Sequence, residues 1–483
     1  LVSRIQGFRK INGSAASTAL LLLAVSAVLQ TQAQAQSPNP NPPTTYKPTV
    51  ASLDAHPLPQ WYDDAKLGVM VVWGLYSVPG WAPLSHPEHD FASTDFIRNS
   101  PYAEWYYNVS RIEGTPTYAY NREHYGAAHN YYDFAADFSR ESRAWSPDKM
   151  AAIFKDAGIR YVVFSTKFHD GYGMWPSAVP NPNQRDVNFQ RDYMGELTAA
   201  VEKSGMRMGI YYSGGFDWTF NRGPIETNPD YDAVKPETVA YGTYADAQIK
   251  ELIDRYHPAV LWNDIDWPRS GDALADMAYY YNAVPDGVVD DRYGVPHADF
   301  NTKEYTRFDE IQPKKWEANR GLGQSFGYNR AEGEANTIAP AELIALLADV
   351  VSKNGNLLLG IGPEADGSIA PVQMERLAAL GAWMKQNGEA IYGTRPWTRA
   401  TGETADGQQV RFTQKAGALY AILVGAPKSA SVVIRNLKAQ AGSAVELLGE
   451  AKPLAWKQQG ADLEVELPAT LPGKYAYVLR LSQ

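Results

Sequence analysis

The run KMAAIFKDAGIRYVVFS, residues 149–165, carries the pattern on which the fold turns. Its first nine residues have a helical texture, Gly158 supplies a stop, and Tyr161-Val-Val-Phe-Ser165 follows as an almost unbroken apolar run. A strand without polar alternation is buried on both faces, the condition of a parallel sheet covered by helices. The same unit recurs outward along the chain. Arg207-Met-Gly-Ile-Tyr-Tyr212 follows a helical stretch at 194–204 closed by Gly205, and Ala259-Val-Leu-Trp262 follows one at 244–256. Val288-Val289 follows 274–283, Asn356-Leu-Leu-Leu-Gly-Ile361 follows 340–353, and Leu67-Gly-Val-Met-Val-Val72 stands upstream of them all. Repeated about seven or eight times, such βα units predict a (β/α)8-like barrel over 58–394. A doubly wound sheet is the alternative, because periodicity does not report closure.

Beyond an amphipathic stretch at 372–385 the texture changes. From about Trp397, short alternating runs at 409–413, 419–424, 431–435, 444–448, 463–467 and 475–481 predict a C-terminal antiparallel β-sandwich over 395–483. Such a domain either braces the barrel or binds sugar. A length of 483 residues accommodates two domains, and 45% hydrophobic with 20% charged residues is an ordinary globular composition. The formal charge of -10, with no basic run, excludes nucleic acid as a partner.

The N-terminus reads as a targeting segment. Arg4, Arg9 and Lys10 precede an apolar run at 19–29 and then Ala33-Gln-Ala35, which predicts a signal peptide over 1–35 and an exported protein with no stable membrane insertion after cleavage. Residues 36–57, rich in Pro, Asn and Thr at their start, read as an extended linker. The chain has no cysteine, so thiol nucleophiles and thiolate metal sites are excluded. Its eight histidines show no paired ligand spacing, and no metal is expected.

In a barrel, catalytic groups sit just past the C-terminal ends of strands. Those positions hold Lys167, His169 and Asp170, then Tyr211 to Asp217, then Asn263, Asp264 and Asp266, then Asp291 and Arg292, with Glu304 a little beyond. Ser213-Gly-Gly215 is no phosphate-binding fingerprint. Paired carboxylates among Trp and Tyr suit glycosidic cleavage, in which one group attacks the anomeric centre and the other protonates the leaving oxygen. Any one of these acids also has a structural reading as a cap or ion-pair partner. The residues alone do not choose between Asp264 and Asp266.

Several blocks, in order, resemble the α-L-fucosidases of glycoside hydrolase family 29. They are WYDDAKLGVMVVWG from Trp61 with Tyr76-Ser-Val-Pro79 and Trp81, Glu104-Trp-Tyr106, AGIRYVVFSTKFHDGYGMWPS from Ala157, GIYYSGGFDW from Gly209, VLWNDIDWP from Val260, DDRYGVPHADFNTKEY from Asp290, KWEANRGLGQSFGYN from Lys315 and NGNLLLGIGPEADG from Asn354. The resemblance implies hydrolysis of terminal α-L-fucosides with retention, without a cofactor, Asp264 being the nucleophile and Glu304 the acid/base. It places Glu104, Trp105, His169, Tyr211, Trp262, Arg292 and Phe326 in the sugar pocket, Phe326 against the C6 methyl group, and makes fucosylated oligosaccharides or glycoconjugates the partners of a chain free to oligomerise. Two positions depart from the family. Val72-Trp-Gly74 stands where HWG is usual, and Phe168-His-Asp-Gly171 where HHDG is usual. Neither Val nor Phe can hydrogen-bond a hydroxyl, and each lost anchor costs ~1–3 kcal/mol of recognition. The alternatives are the same mechanism on a related or modified sugar, such as an α-L-galactoside, or a carbohydrate-binding barrel without catalysis. An aldolase is a further rival, with Lys167 as its only candidate Schiff-base lysine.

Overall fold

The computed structural model describes residues 45–84 and 93–482. The segment read as a signal peptide lies outside them. Eight parallel strands form the first domain: β1 (Leu67–Val71), β2 (Tyr161–Lys167), β3 (Arg207–Ser213), β4 (Val260–Asp264), β5 (Val288–Val289), β6 (Asn301–Glu304), β7 (Trp316–Gly321) and β8 (Gly355–Ile361). Their order around the sheet is β5-β4-β3-β2-β1-β8-β7-β6, and every pairing is parallel. β1, β2 and β8 are buried along their whole length, as apolar runs covered on both sides require.

Helices Pro147–Asp156, Tyr193–Lys203, Val239–Tyr256, Ala273–Ala283 and Pro340–Ser352 return the chain between strands, and Pro371–Asn387 follows β8. The first shows why the opening run behaves as it does. Ser146 caps it by accepting from the Lys149 N–H, Pro147 fits its first turn, and Gly158 leaves it at a left-handed φ of 85°. No such helix joins β5 to β6 or β6 to β7. These two connections are where the eightfold repeat breaks down.

Among the described residues no backbone ladder joins β5 to β6. One backbone bond, from the Asp299 N–H to Val289 O at 3.0 Å, and several side chains close that seam. Asp299 Oδ2 accepts from the Val289 N–H at 2.7 Å, Asp291 Oδ1 accepts from both the N–H and the hydroxyl of Thr302 at 2.9 and 2.8 Å, and Arg292 Nε donates to Thr302 Oγ1 at 2.8 Å. β6, Asn-Thr-Lys-Glu, lacks an apolar run and is only partly buried, so periodicity does not reveal it.

The described part of the stretch read as a linker, residues 45–57, packs on the barrel. Tyr46 and Asn282 exchange backbone-to-amide hydrogen bonds at 2.7 and 3.0 Å, Leu53 is buried, and His56 meets Asp299 at 3.0 Å while stacking on Tyr281. The aromatic and apolar side chains here outweigh the extended bias of the prolines.

The second domain comprises β9 (Arg395–Glu403), β10 (Gln409–Lys415), β11 (Ala418–Val424), β12 (Ser431–Ile434), β13 (Val445–Leu447), β14 (Trp456–Gln459), β15 (Asp462–Glu466) and β16 (Ala476–Ser482). They make an antiparallel five-stranded sheet, β13-β16-β11-β10-β9, and a three-stranded one, β12-β15-β14. Alternation along β11 assigns its two faces. Leu419, Ala421 and Leu423 enter the core between the sheets, whereas Ala418, Tyr420 and Ile422 join the barrel's core. Trp383 Nε1 donates to Ala476 O at 2.9 Å, and Arg411 pairs with Asp349 at 2.6 Å across the same junction. The sandwich braces the barrel.

Candidate active site

Asp264 is the last residue of β4, and the reason it is last lies just past β3. The N–H groups of Gly214 and Gly215 both donate to Asp264 O, at 3.2 and 3.1 Å. A Cβ on Gly215 would meet Ile265 O at 1.6 Å, so only glycine admits this approach. The chain then leaves through left-handed residues, Ile265 at φ 65° and Asp266 at φ 70°. This turn separates the two acids that extended structure would leave equivalent. Asp266 reaches the rim, pairing with Lys235 at 2.9 Å with its side chain half exposed, while Asp264 stays at the strand end.

Asp264 Oδ2 accepts from the Tyr211 hydroxyl at 2.7 Å, and Oδ1 accepts from Arg292 Nη1 at 3.0 Å. The same Nη1 lies 2.6 Å from Glu304 Oε1. One guanidinium nitrogen thus holds both carboxylates. Burial works against the charge of Arg292, but Glu304 and then Asp264 and Asp290 outweigh it and hold its pKa above the ordinary value. The guanidinium also lies 4.6 Å over the Trp262 ring, whose Nε1 donates to Glu317 Oε1 at 3.0 Å in the barrel floor.

A cavity of about 330 Å³ opens above this pair. Eight of the nine residues singled out from the sequence line it: Asp264, Glu304, Glu104, Trp105, His169, Tyr211, Trp262 and Phe326. Arg292 is the ninth, and it acts on the cavity through the two carboxylates. Glu104 Oε2 accepts from Ser325 Oγ and from the Gly327 N–H, each at 2.9 Å, and burial pushes its pKa up to about 7. His169 is packed edge-on by Trp105 and Phe216, with centroids at 5.3 and 5.2 Å, and burial takes its pKa down to about 4. Phe326 sits edge-on to Tyr102 and Tyr305.

Val72 and Phe168 line the cavity too, beside Met70. The Phe168 ring stacks on Tyr211 at 5.4 Å and 13°, so it supports the residue that holds the nucleophile candidate. Sequence reasoning missed Asn319 and Tyr231. Asn319 lines the cavity from β7, a strand too polar to recognise by periodicity, and its Oδ1 is buried with no hydrogen-bond partner among the described residues. Tyr231 comes from a short helix, Asn228–Ala233, in the excursion after β3 and stacks on Trp105 at 6.2 Å. Lys167 is buried away from the cavity, paired with Asp217 at 2.9 Å, and is not placed to form a Schiff base there.

The family model described as Alpha-L-fucosidase matches residues 31–389, and that described as Alpha-L-fucosidase C-terminal domain matches residues 404–482. The chain belongs to the α-L-fucosidase family, glycoside hydrolase family 29. It is 34% identical over 460 residues to tissue alpha-L-fucosidase of Bos taurus, covering 91% of this chain and 92% of that one. To the Rattus norvegicus tissue enzyme it is 33% identical over 483 residues, covering 96% of each. The solved Thermotoga maritima alpha-fucosidase in complex with a mechanism based inhibitor superposes with a TM-score of 0.84 at 41% identity, covering 91% of this chain and all of that one. Membership makes the chain a glycoside hydrolase, so the aldolase and non-catalytic readings fall away. Among the described residues, none of those lining the cavity comes from the C-terminal domain.

Proposed function

We propose that the chain is exported and hydrolyses terminal α-L-fucosides of oligosaccharides or glycoconjugates by double displacement, with net retention of configuration. One observation carries the mechanism. Asp264 Oδ1 and Glu304 Oε1 share Arg292 Nη1, at 3.0 and 2.6 Å, so these oxygens are no farther apart than the two distances laid end to end. That suits a retaining pair, ~5–5.5 Å apart, and is too close for an inverting pair at ~6.5–9.5 Å, which must admit a water between them.

In the first step an Asp264 oxygen attacks C1, the C1–O bond to the aglycon breaks, and Glu304 gives its proton to the departing oxygen. Arg292 holds Oε1, which leaves Oε2 to carry that proton. In the second step Glu304 takes a proton from water, the water oxygen bonds to C1, and Asp264 departs as a carboxylate. Arg292 and Tyr211 receive the returning charge on Oδ1 and Oδ2.

Asp264→Ala is expected to lower kcat on an aryl α-L-fucoside by ~10⁴-fold or more, with azide restoring turnover as the glycosyl azide. Proton NMR of the wild-type reaction should show the α-anomer of fucose first. Near-wild-type activity in the variant, or first appearance of the β-anomer, would overturn the mechanism.

A second reading keeps this chemistry and changes the sugar. It rests on the apolar surface of Val72 and Phe168, which fits a capped or epimeric hydroxyl better than a free one. Comparing kcat/KM across aryl α-L-fucoside, its O-methyl derivatives and aryl α-L-galactoside separates the two, and a clear preference for the plain fucoside rejects the second. Export rests on the sequence of residues 1–35. N-terminal sequencing of the mature protein tests it.

A further inference from the structure

Ser213 ends β3 beneath His169, fully buried. Its Oγ lies 2.8 Å from Phe216 O and 2.7 Å from His169 Nδ1. A carbonyl oxygen can only accept, so the single hydroxyl proton of Ser213 belongs to Phe216 O. The contact with Nδ1 is then a hydrogen bond only if Nδ1 carries the proton and donates it. The opposite assignment would turn that proton to Nδ1 and leave the lone pairs of Oγ and Phe216 O facing each other at 2.8 Å inside the protein, a contact without an attraction.

With its proton on Nδ1, neutral His169 presents a lone pair at Nε2. That atom lies 3.9 Å from Asp264 Oδ2, which already accepts from Tyr211. Two acceptors thus face each other across a gap too long for a direct hydrogen bond. The charged groups acting on His169 are Asp264 on β4 and Lys167 on β2, and burial outweighs the pull of Asp264. Around the ring stand Phe168, Trp105, Phe216 and Trp218, none offering it a rival partner at hydrogen-bonding distance.

We propose that Ser213 is a positioning residue that fixes the His169 tautomer, so that Nε2 accepts a hydrogen bond from the substrate hydroxyl on C2, next to the reacting carbon. The inference rests on the double-displacement reading, which seats C1 on Asp264 and so brings the C2 hydroxyl to the acceptor gap. Positive charge developing at C1 makes that hydroxyl a stronger donor, so the bond strengthens as the transition state forms. Without Ser213 the imidazole is free to carry its proton on Nε2 and turn a donor toward Asp264, which removes the acceptor.

The experiment combines a tautomer measurement with a substrate–variant cycle. Long-range ¹H–¹⁵N NMR of the wild-type protein at neutral pH, with the His169 signals assigned through His169→Gln, should show a protonated Nδ1 and a bare Nε2. A protonated Nε2 overturns the proposal, and this reading needs neither turnover nor a mutant at Ser213. In kinetics, wild type should lose ~100-fold in kcat/KM between aryl α-L-fucoside and its 2-deoxy analogue, mostly in kcat. Ser213→Ala should lose ~10- to 100-fold on the fucoside but only a few-fold more on the 2-deoxy analogue, while Ser213→Thr keeps the hydroxyl and restores the wild-type pattern. Independent, multiplying penalties overturn the proposal. Inversion of configuration by the wild type would instead sink the double-displacement reading and leave the tautomer result standing.

Discussion

On the β4–β6 side of the cavity, Asp264 and Glu304 are tied through Arg292, with Tyr211 as a further donor. The β1–β2 side, across the barrel from the β5–β6 seam, presents Met70, Val72 and Phe168. The acids of the two sides differ accordingly. Those on the first share a buried cation, whereas Glu104, in the connection after β1, accepts from Ser325 and Gly327 beyond β7, has only neutral donors and has a pKa pushed up to about 7. The difference teaches a division of labour. In the proposed mechanism the reaction chemistry rests on a charged network, in which removing one member leaves the others without a partner. The apolar side is a surface whose residues can change one at a time, and the proposed second reading lets it select the sugar.

The largest effect should come from breaking the charged side. Arg292→Met leaves two buried carboxylates facing each other without a counter-ion, a change costing ~3–5 kcal/mol. We expect kcat on an aryl α-L-fucoside to fall by ~10²- to 10³-fold, read in steady-state kinetics, with the protein still folded by circular dichroism. A loss under tenfold would show that the shared nitrogen is incidental.

A smaller effect of opposite sign should follow from making the apolar side polar. The double variant Val72→His with Phe168→His is expected to raise kcat/KM on the aryl α-L-fucoside by about 10-fold, chiefly through KM, because each new donor recovers ~1–3 kcal/mol at most. A fall on the fucoside would mean that the apolar surface matches the sugar as it stands.

The smallest effect concerns Glu104 and pH. Its folded pKa, about 7, lies above the ordinary value of 4.5, so between those limits the native state holds a proton that the unfolded chain has lost. This term therefore lowers stability progressively as pH rises from about 4.5 to about 7, by ~3 kcal/mol at most. Glu104→Gln removes it. The melting temperature of the variant should exceed wild type by a few degrees at pH 8 and match it at pH 4. Equal shifts at both pH values would mean that Glu104 has a cationic partner after all.

Most of the fold was legible because burial writes itself locally. Helix, glycine and apolar strand recur along the chain, and the period-two runs of the second domain assign Leu419 and Tyr420 to opposite faces. β6 and β7 were not legible. Asn301–Glu304 and Trp316–Gly321 carry Glu304, Glu317 and Asn319 inward, and functional side chains erase the pattern that marks a buried strand. The site was legible through its motifs, which gathered eight of nine named residues around one cavity. The contributions of Asn319 and Tyr231 were not, since one sits on an unrecognised strand and the other on a six-residue helix too short to show a period.

The sequence by itself determined the repeated βα texture, the sandwich that follows it, the residue types at the strand ends and the apolar character of Val72 and Phe168. Only the tertiary structure decided which of two neighbouring acids meets Tyr211 and Arg292 and which pairs with Lys235 at the rim, and it did so through a close approach between Gly215 and Ile265 just past β3 and β4. It also decided that Asp264, Arg292 and Glu304 meet at a seam without a backbone ladder. The physical reason is common to both. Periodicity records what each residue buries, whereas contacts between strands depend on the closure of the barrel, which no local pattern encodes.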